Sequence, residues 1–309
     1  MKKTNLTALI FGLSMLWGGS EGYAGSFLRM GASARSMGMG SGFTAEIDHG
    51  FPAYHNPASL VFLKKREIGF SHHFLPLSRR FNSTSFSTAL PPTAALGLAW
   101  VSSGTDKIDG RTSSGQHTQY LSTAEDAVFF TFAQKLTSWF SLGINIKILR
   151  HQLPMNTGSL TGKGTGFDMA LFIHTEKKAN LAFMIQDINS RYHWNTDGIF
   201  DKNTSQYVEY FPTIYRLGTT FYYKDIYFAG DLGLITADES VQGYSFRLGA
   251  EYTFRDKYYL RAGFGNGRIA VGAGLDWSFL KLNDAHLDYA FVLEAPAGLA
   301  HVFTYAFSF

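Results

Sequence analysis

No cysteine occurs among the 309 residues, so no disulfide can hold this fold together, and stability has to come from a large hydrogen-bonded framework. Beyond residue 17 no apolar run approaches the roughly 20 residues that a membrane-spanning helix needs. If the chain crosses a bilayer, it does so as strands. Neither sign of charge is concentrated: the 27 Lys and Arg residues are scattered along the chain and the net charge is only +3, which excludes a nucleic-acid surface. Alanine, leucine and Glu–Lys pairs at helical spacing are scarce. In their place stand 16% aromatic residues and 32 glycines, a balance that favours many short strands joined by tight turns.

The first residues, MKKTNLTALIFGLSMLWGGSEGYAGSF, carry Lys2 and Lys3 before an apolar stretch from Leu6 to Trp17, then small residues up to Ala24. This is the plan of a secretory signal peptide, with cleavage expected after Ala24. The expected division is therefore a signal peptide at 1–24, an irregular N-terminal segment at 25–63 and a strand-rich body at 64–309.

That body alternates with a period of two. In AHVFTYAFSF, from Ala300, the side chains of Phe303, Tyr305, Phe307 and Phe309 share one face, and those of Val302, Thr304, Ala306 and Ser308 the other. This ending resembles the C-terminal assembly signal of outer-membrane β-barrels. YSFRLGAEYTF, YYLRAGF and IAVGAGLDWSF alternate in the same way, apolar on one face and polar or small on the other, as a barrel in lipid requires. Strands are expected near 66–76, 80–90, 94–102, 126–136, 139–151, 165–174, 178–188, 213–223, 225–235, 244–254, 257–265, 267–279, 284–293 and 300–309, about 14 in all. The predicted fold is all-β: a transmembrane antiparallel up-and-down barrel. Short connections alternate with long polar ones that begin at Ser102, Gln152 and Asn189, as expected of periplasmic turns and extracellular loops.

The inward faces carry Arg216, Asp231, Arg247, Glu251, Arg261, Asp276, His286 and Asp288, a polar lumen network. Hairpin geometry predicts Arg216 opposite Asp231 and Glu251 beside Arg261. His286 and Asp288 are consecutive inward positions of one strand, and no G-x-S-x-G elbow is present, so no catalytic residues are assigned and no enzyme is expected. Adjacent His72 and His73 point to opposite faces, the wrong arrangement for ligands of one metal, and neither a metal nor a cofactor is expected. GMGSG, at 38–42, lacks the G-x-G-x-x-G spacing of a phosphate loop.

ARSMGMGSGFTAEIDHGFPAYHNPASL resembles the N-terminal signature of the PorV/PorQ family and, more distantly, of FadL-type channels. Gly38, Gly40, Gly42, Asp48, Asn56, Pro57, Ala58 and Leu60 carry the match, while His55 stands where an aromatic such as Trp is common. GTGFDMALF, LAFMIQDI, FPTIYRLGTTF, YYLRAGFG and LDYAFV follow in the order of the family's strands. The resemblance implies a 14-stranded outer-membrane barrel whose N-terminal segment folds inward as a glycine-rich hatch, with a turn built on Gly38, Gly40, Gly42, Asp48, Asn56 and Pro57. On this reading Met37, Met39, Phe43 and Phe51 are candidate contacts for a hydrophobic small molecule that is captured or passed. The other function the resemblance implies is a type IX secretion component, with loops around Tyr192, Trp194, Tyr207 and Tyr210 touching cargo or partner proteins. The expected partners are thus outer-membrane lipid, a hydrophobic ligand or secretion proteins, with no nucleic acid.

Overall fold

A computed structural model describes residues 23–47, 51–155, 158–175, 179–196, 206–278, 284–294 and 296–309. The expected signal peptide, Asp48 and several turn residues lie outside these. Fifteen strands are present among the described residues: β1 (Glu67–Phe74), β2 (Arg79–Leu90), β3 (Ala94–Arg111), β4 (His117–Lys135), β5 (Phe140–Pro154), β6 (Ser159–Thr175), β7 (Ala179–Asn195), β8 (Gln206–Tyr210), β9 (Thr213–Tyr223), β10 (Ile226–Ala237), β11 (Ser240–Phe254), β12 (Tyr258–Gly265), β13 (Arg268–Trp277), β14 (Ala285–Glu294) and β15 (Gly298–Ser308).

Each strand pairs antiparallel with its neighbours, β1 pairs with β15, and β6 pairs with β7, so the sheet closes on itself. β8 adds no stave. It pairs with the far half of β7 while β9 pairs with the near half, so β8 and β9 together flank β7 as one stave interrupted at Phe211 and Pro212. Proline cannot donate to a ladder, which is why the interruption falls there. The barrel therefore has 14 staves, and closure removes the edges that would otherwise recruit other strands.

Alternation sets the faces. On β15 Phe303, Tyr305 and Phe309 beyond it are exposed while Val302, Thr304 and Ser308 are buried. Leu260, Ile269, Val271 and Leu232 continue the exposed apolar face around the wall. A soluble protein would not leave such a surface bare, but lipid covers it.

The long polar stretches were expected as irregular loops, and here the structure differs. β3 and β4 run on to Arg111 and His117, β5 and β6 to Pro154 and Ser159, and β7 to Asn195, so the three hairpins extend the barrel wall as sheet. Hydrogen bonding across a hairpin can continue where the side chains are polar, because in water neither face needs to be apolar. The opposite end, where Phe309 exchanges backbone hydrogen bonds with Arg66, has tighter turns such as Lys224–Asp225.

The lumen is filled by the N-terminal segment. Nearly all of its described residues from Ala24 to Leu60 are buried, including Phe27, Leu28, Met39, Ala45 and Leu60. It contains two short helices, α1 (Ala34–Gly38) and α2 (Pro52–His55), and 3-10 turns at Ser26–Arg29 and Pro57–Phe62. Ser33 and Ser36 form a reciprocal capping box on α1, and Asn56 caps the second 3-10 turn by accepting from the Ala58 amide. None of the segment's described residues joins the sheet ladders. Its backbone groups bond instead to side chains of the wall.

Candidate functional site

The junction between segment and wall is made of spokes. Ala34 N–H donates to Thr304 Oγ1 at 2.7 Å, Ser83 Oγ donates to Ala32 O at 2.5 Å, and Ser141 Oγ donates to Ala58 O at 2.6 Å. Thr44 donates from both its amide and its hydroxyl to the Asp231 carboxylate, while Thr220 Oγ1 donates to Ala45 O. At the start of the described chain Tyr23 donates to Gln242, and Asn56 Nδ2 donates to Thr44 O across the segment itself. The spokes to Ala32, Ala34, Thr44, Ala45 and Ala58 each satisfy a buried backbone group that has no ladder partner.

Glycines set how near the two backbones come. Gly40 has φ +65°, and a Cβ there would stand 2.5 Å from Phe264 O. Across the contact, a Cβ on Gly263 would stand 2.2 Å from Gly40 N and one on Gly143 would stand 2.4 Å from Ala58 N. Gly38 faces Gly272 in the same way, 3.3 Å from Cβ position to Cα, and Gly42 lies against Gly230 and the Arg247 carbonyl. The GMGSG stretch thus fits a wall lined by its own glycines. Side chains at these positions would hold the backbones apart.

The polar lumen network forms a ladder that reaches into the segment. Glu251 lies directly opposite Arg261 and pairs with its Nε at 2.5 Å, Arg261 Nη1 donates to Asp288 at 2.6 Å, and Arg35 of α1 donates two hydrogen bonds to Glu251, each at 3.0 Å. Arg35 also pairs with Glu46 at 3.3 Å. Burial opposes the charge on the Arg35 guanidinium, but Glu251 and Glu46 outweigh it and hold the group firmly protonated. Next to this ladder His286 Nδ1 lies 2.5 Å from Asp276, which also accepts from Tyr259 at 2.7 Å. A cavity of about 380 Å³ opens onto these groups at the Phe309 end of the lumen, bordered also by Lys64, Lys65 and Glu67.

One predicted pair is corrected by the register. With Lys224–Asp225 as a two-residue turn, Tyr223 pairs with Ile226, which brings Gly233 opposite Arg216. Asp231 instead faces Arg247 directly on β11, and Arg216 Nε donates to Gln186 at 2.9 Å.

The four candidate ligand contacts do not meet. Met37 and Phe51 belong to a large apolar cluster with Phe27, Leu28, Tyr54 and Phe129, whereas Met39 and Phe43 pack with Tyr227 and Ala229. All four are buried, and none borders the 380 Å³ cavity. Tyr192 and Trp194, expected in an exposed loop, are also buried, packed with Phe211 and His151 inside the extended wall, while Tyr207 and Tyr210 are exposed.

Sequence reasoning missed a second network. Lys147 is fully buried and donates to Asp168 at 2.6 Å and to Asp187, with Asn145 donating to the other Asp168 oxygen at 3.0 Å. It sits where β7 bends, at Asp187 and Asn189, both with positive φ, and where its pairing with β6 shifts register. Period-two alternation places Asn145, Lys147 and Asp168 on inward faces, so their burial was legible. The bend that brings Asp187 to them was not. Arg35 was likewise in view within the glycine-rich signature, without a sign of its partner 216 residues away. Among the described residues no group of three or more His, Asp or Glu side chains is arranged to hold a metal ion.

No family model and no curated protein matches the sequence. Solved structures do share its fold. The Ralstonia pickettii toluene transporter TbuX aligns with a TM-score of 0.64 at 14% identity, over 90% of this chain and 98% of that one. The Pseudomonas putida toluene transporter TodX gives 0.63 at 13% identity over 90% and 98%, and a Pseudomonas aeruginosa FadL homologue 0.62 at 10% over 90% and 98%. At these identities the likeness is one of fold.

Proposed function

We propose that this protein is an outer-membrane channel for hydrophobic small molecules, with residues 25–63 as the hatch that closes it. The observation that carries the reading is the way the lumen is filled: the segment is buried at the wall yet held by side-chain spokes and no strand pairing. A permanent part of the wall would gain most from ladder hydrogen bonds, whereas spokes can be released a few at a time. The described conformation is then the closed one, with Met37, Met39, Phe43 and Phe51 packed against protein until a ligand takes their place. Named neighbours of the same fold are toluene transporters, which makes compact apolar compounds such as monoaromatic hydrocarbons the first substrates to try. Channel action needs no catalytic group, and His286 and Asp276 are engaged in a hydrogen bond with each other.

The exposed lipid face and the expected signal peptide support placement in the bacterial outer membrane, with the extended hairpins outward and Phe309 toward the periplasm. The type IX secretion reading draws less support, since Tyr192 and Trp194, two of its four cargo-contact residues, are buried in the wall.

A disulfide tests the channel. Ala34→Cys with Thr304→Cys joins hatch and wall where the Ala34 amide meets the Thr304 side chain at 2.7 Å, in a chain that has no other cysteine. Uptake of labelled toluene by cells carrying this variant is expected to stop on oxidation and return on reduction. Equal uptake in both states would overturn the hatch reading, and uptake no greater than that of cells lacking the protein would overturn the substrate class.

A further inference from the structure

We infer that a single small monovalent anion of halide type binds between the N-terminal segment and the wall, in a cavity where three arginines converge. The cavity, of about 20 Å³, is bordered by Arg29, Tyr54 and His55 of the segment and by Arg216, Asp231 and Arg247 of β9, β10 and β11. Its lining thus carries three guanidiniums against one carboxylate. That carboxylate is already engaged, since Asp231 accepts from the amide and the hydroxyl of Thr44.

The guanidiniums of Arg216 and Arg247 are matched to neutral acceptors. Arg216 Nε donates to the Gln186 side-chain carbonyl, and Arg247 donates to the main-chain oxygens of Ser41 and Arg29, each at 3.1 Å. Carbonyl oxygens satisfy hydrogen bonds without adding negative charge, so Asp231 is the one carboxylate in the lining that offsets the guanidiniums. Two donors, Arg216 Nη1 and Arg247 Nε, and the ring nitrogen His55 Nε2 are buried and have no hydrogen-bond partner among the described residues. Both arginines are at least 95% buried. Unpaired charge in such a setting is costly, and a water molecule would fill the donors while leaving the excess charge in place. An anion does both.

Size limits the choice. With about 20 Å³ of free space, the cavity favours the smallest anions, a halide over a phosphate or an organic carboxylate. Arg29 and His55 come from the segment and Arg216 and Arg247 from the wall, so the ion bridges the two surfaces.

Two measurements test this. Crystals of the wild-type protein soaked in bromide are expected to show an anomalous peak inside the cavity; a cavity holding only water would overturn the inference. In solution, a Ser59→Cys reporter, buried in the segment, is expected to react with a thiol reagent about tenfold more slowly in saturating chloride than in gluconate of equal ionic strength, because the ion stabilises only the seated state. The Arg216→Gln variant, with the same reporter, should lose that difference, and Arg247→Gln should behave alike. Equal rates in the two salts for the unmodified arginines, or a chloride effect that survives in both variants, would overturn the site. Neither measurement depends on transport, so failure here leaves the channel reading to its own test.

Discussion

His55 shows how far one side chain can be governed by its surroundings. Burial, and after it the charges of Arg247 and Arg216, push its pKa down to about 3. Once the segment is released into water the imidazole titrates near ~6.5. Between those values the released state takes up a proton that the seated state refuses, so seating is fully stable above ~6.5 and weakens as pH falls toward 3. The groups facing the ring agree with this direction, since Arg29, Arg216 and Arg247 outnumber Asp231, and Phe43 and Tyr54 supply apolar contact. The thermal midpoint of the wild-type protein should fall between pH 7 and 4.5 more steeply than that of His55→Phe. Parallel pH profiles would assign the fall to other groups.

Gly263 supports a second prediction on the same scale. A methyl group there meets the Gly40 amide, so Gly263→Ala should cost about 1–3 kcal/mol as overpacking does and should loosen the segment. Protease cleavage between residues 25 and 63 reads that loosening. Ala262→Val, one residue along and facing outward, serves as the control that should leave cleavage unchanged.

Among the elements, β7 is the one whose course depends on buried charge. Its bend at Asp187 is tied by the Asp187 amide, which donates to Asp168 at 2.8 Å, and by Lys147, which serves both carboxylates. Removing the cation leaves two fully buried acids without their counter-charge. Lys147→Met should therefore destabilise the barrel by roughly 3–5 kcal/mol, measured by urea unfolding from lipid vesicles. Adding Asp168→Asn to that variant should recover part of the loss, whereas a purely steric role for the Lys147 stem would predict no recovery. β9, by contrast, is fixed by local sequence: its ends at Thr213 and Tyr223 coincide with the period-two reading, because Pro212 breaks the chain before it and a tight turn follows.

For the whole molecule, the wall divides one solvent from another. Leu260 is among the most exposed apolar side chains of the outer face, with Arg261 next to it buried in the lumen ladder. Leu260→Arg should cost about 2–4 kcal/mol if the site lies at the bilayer midplane, less toward either interface. Folding into vesicles of graded thickness would show it, and a neutral result would place Leu260 outside the hydrocarbon layer.

Much of this was legible in the sequence for a single reason: strand alternation is local, so Phe303, Tyr305 and Leu260 reveal their side of the wall from neighbours two residues away. Strand number and the inward set from Arg216 to Asp288 follow from that period. What stayed hidden was pairing at long range. Asp231 faces Arg247 because two turns set the registers of three strands, and an error of two residues in one turn exchanges its partner. The polar hairpins beyond Ser102 and Asn189 looked like loops because continued sheet in water leaves no apolar trace.

A strand-built wall, apolar without and polar within, and a glycine-rich segment unable to form staves are written in local residue pattern alone. What that segment meets depends on the folded chain: Arg35 on Glu251, Thr44 on Asp231, and His55 among three arginines. The first two of these contacts join residues 216 and 187 positions apart, and their partners are brought within reach only when β1 closes on β15 and β6 on β7. Closure of a barrel fixes such distances through every register around the ring at once, so no local pattern carries them.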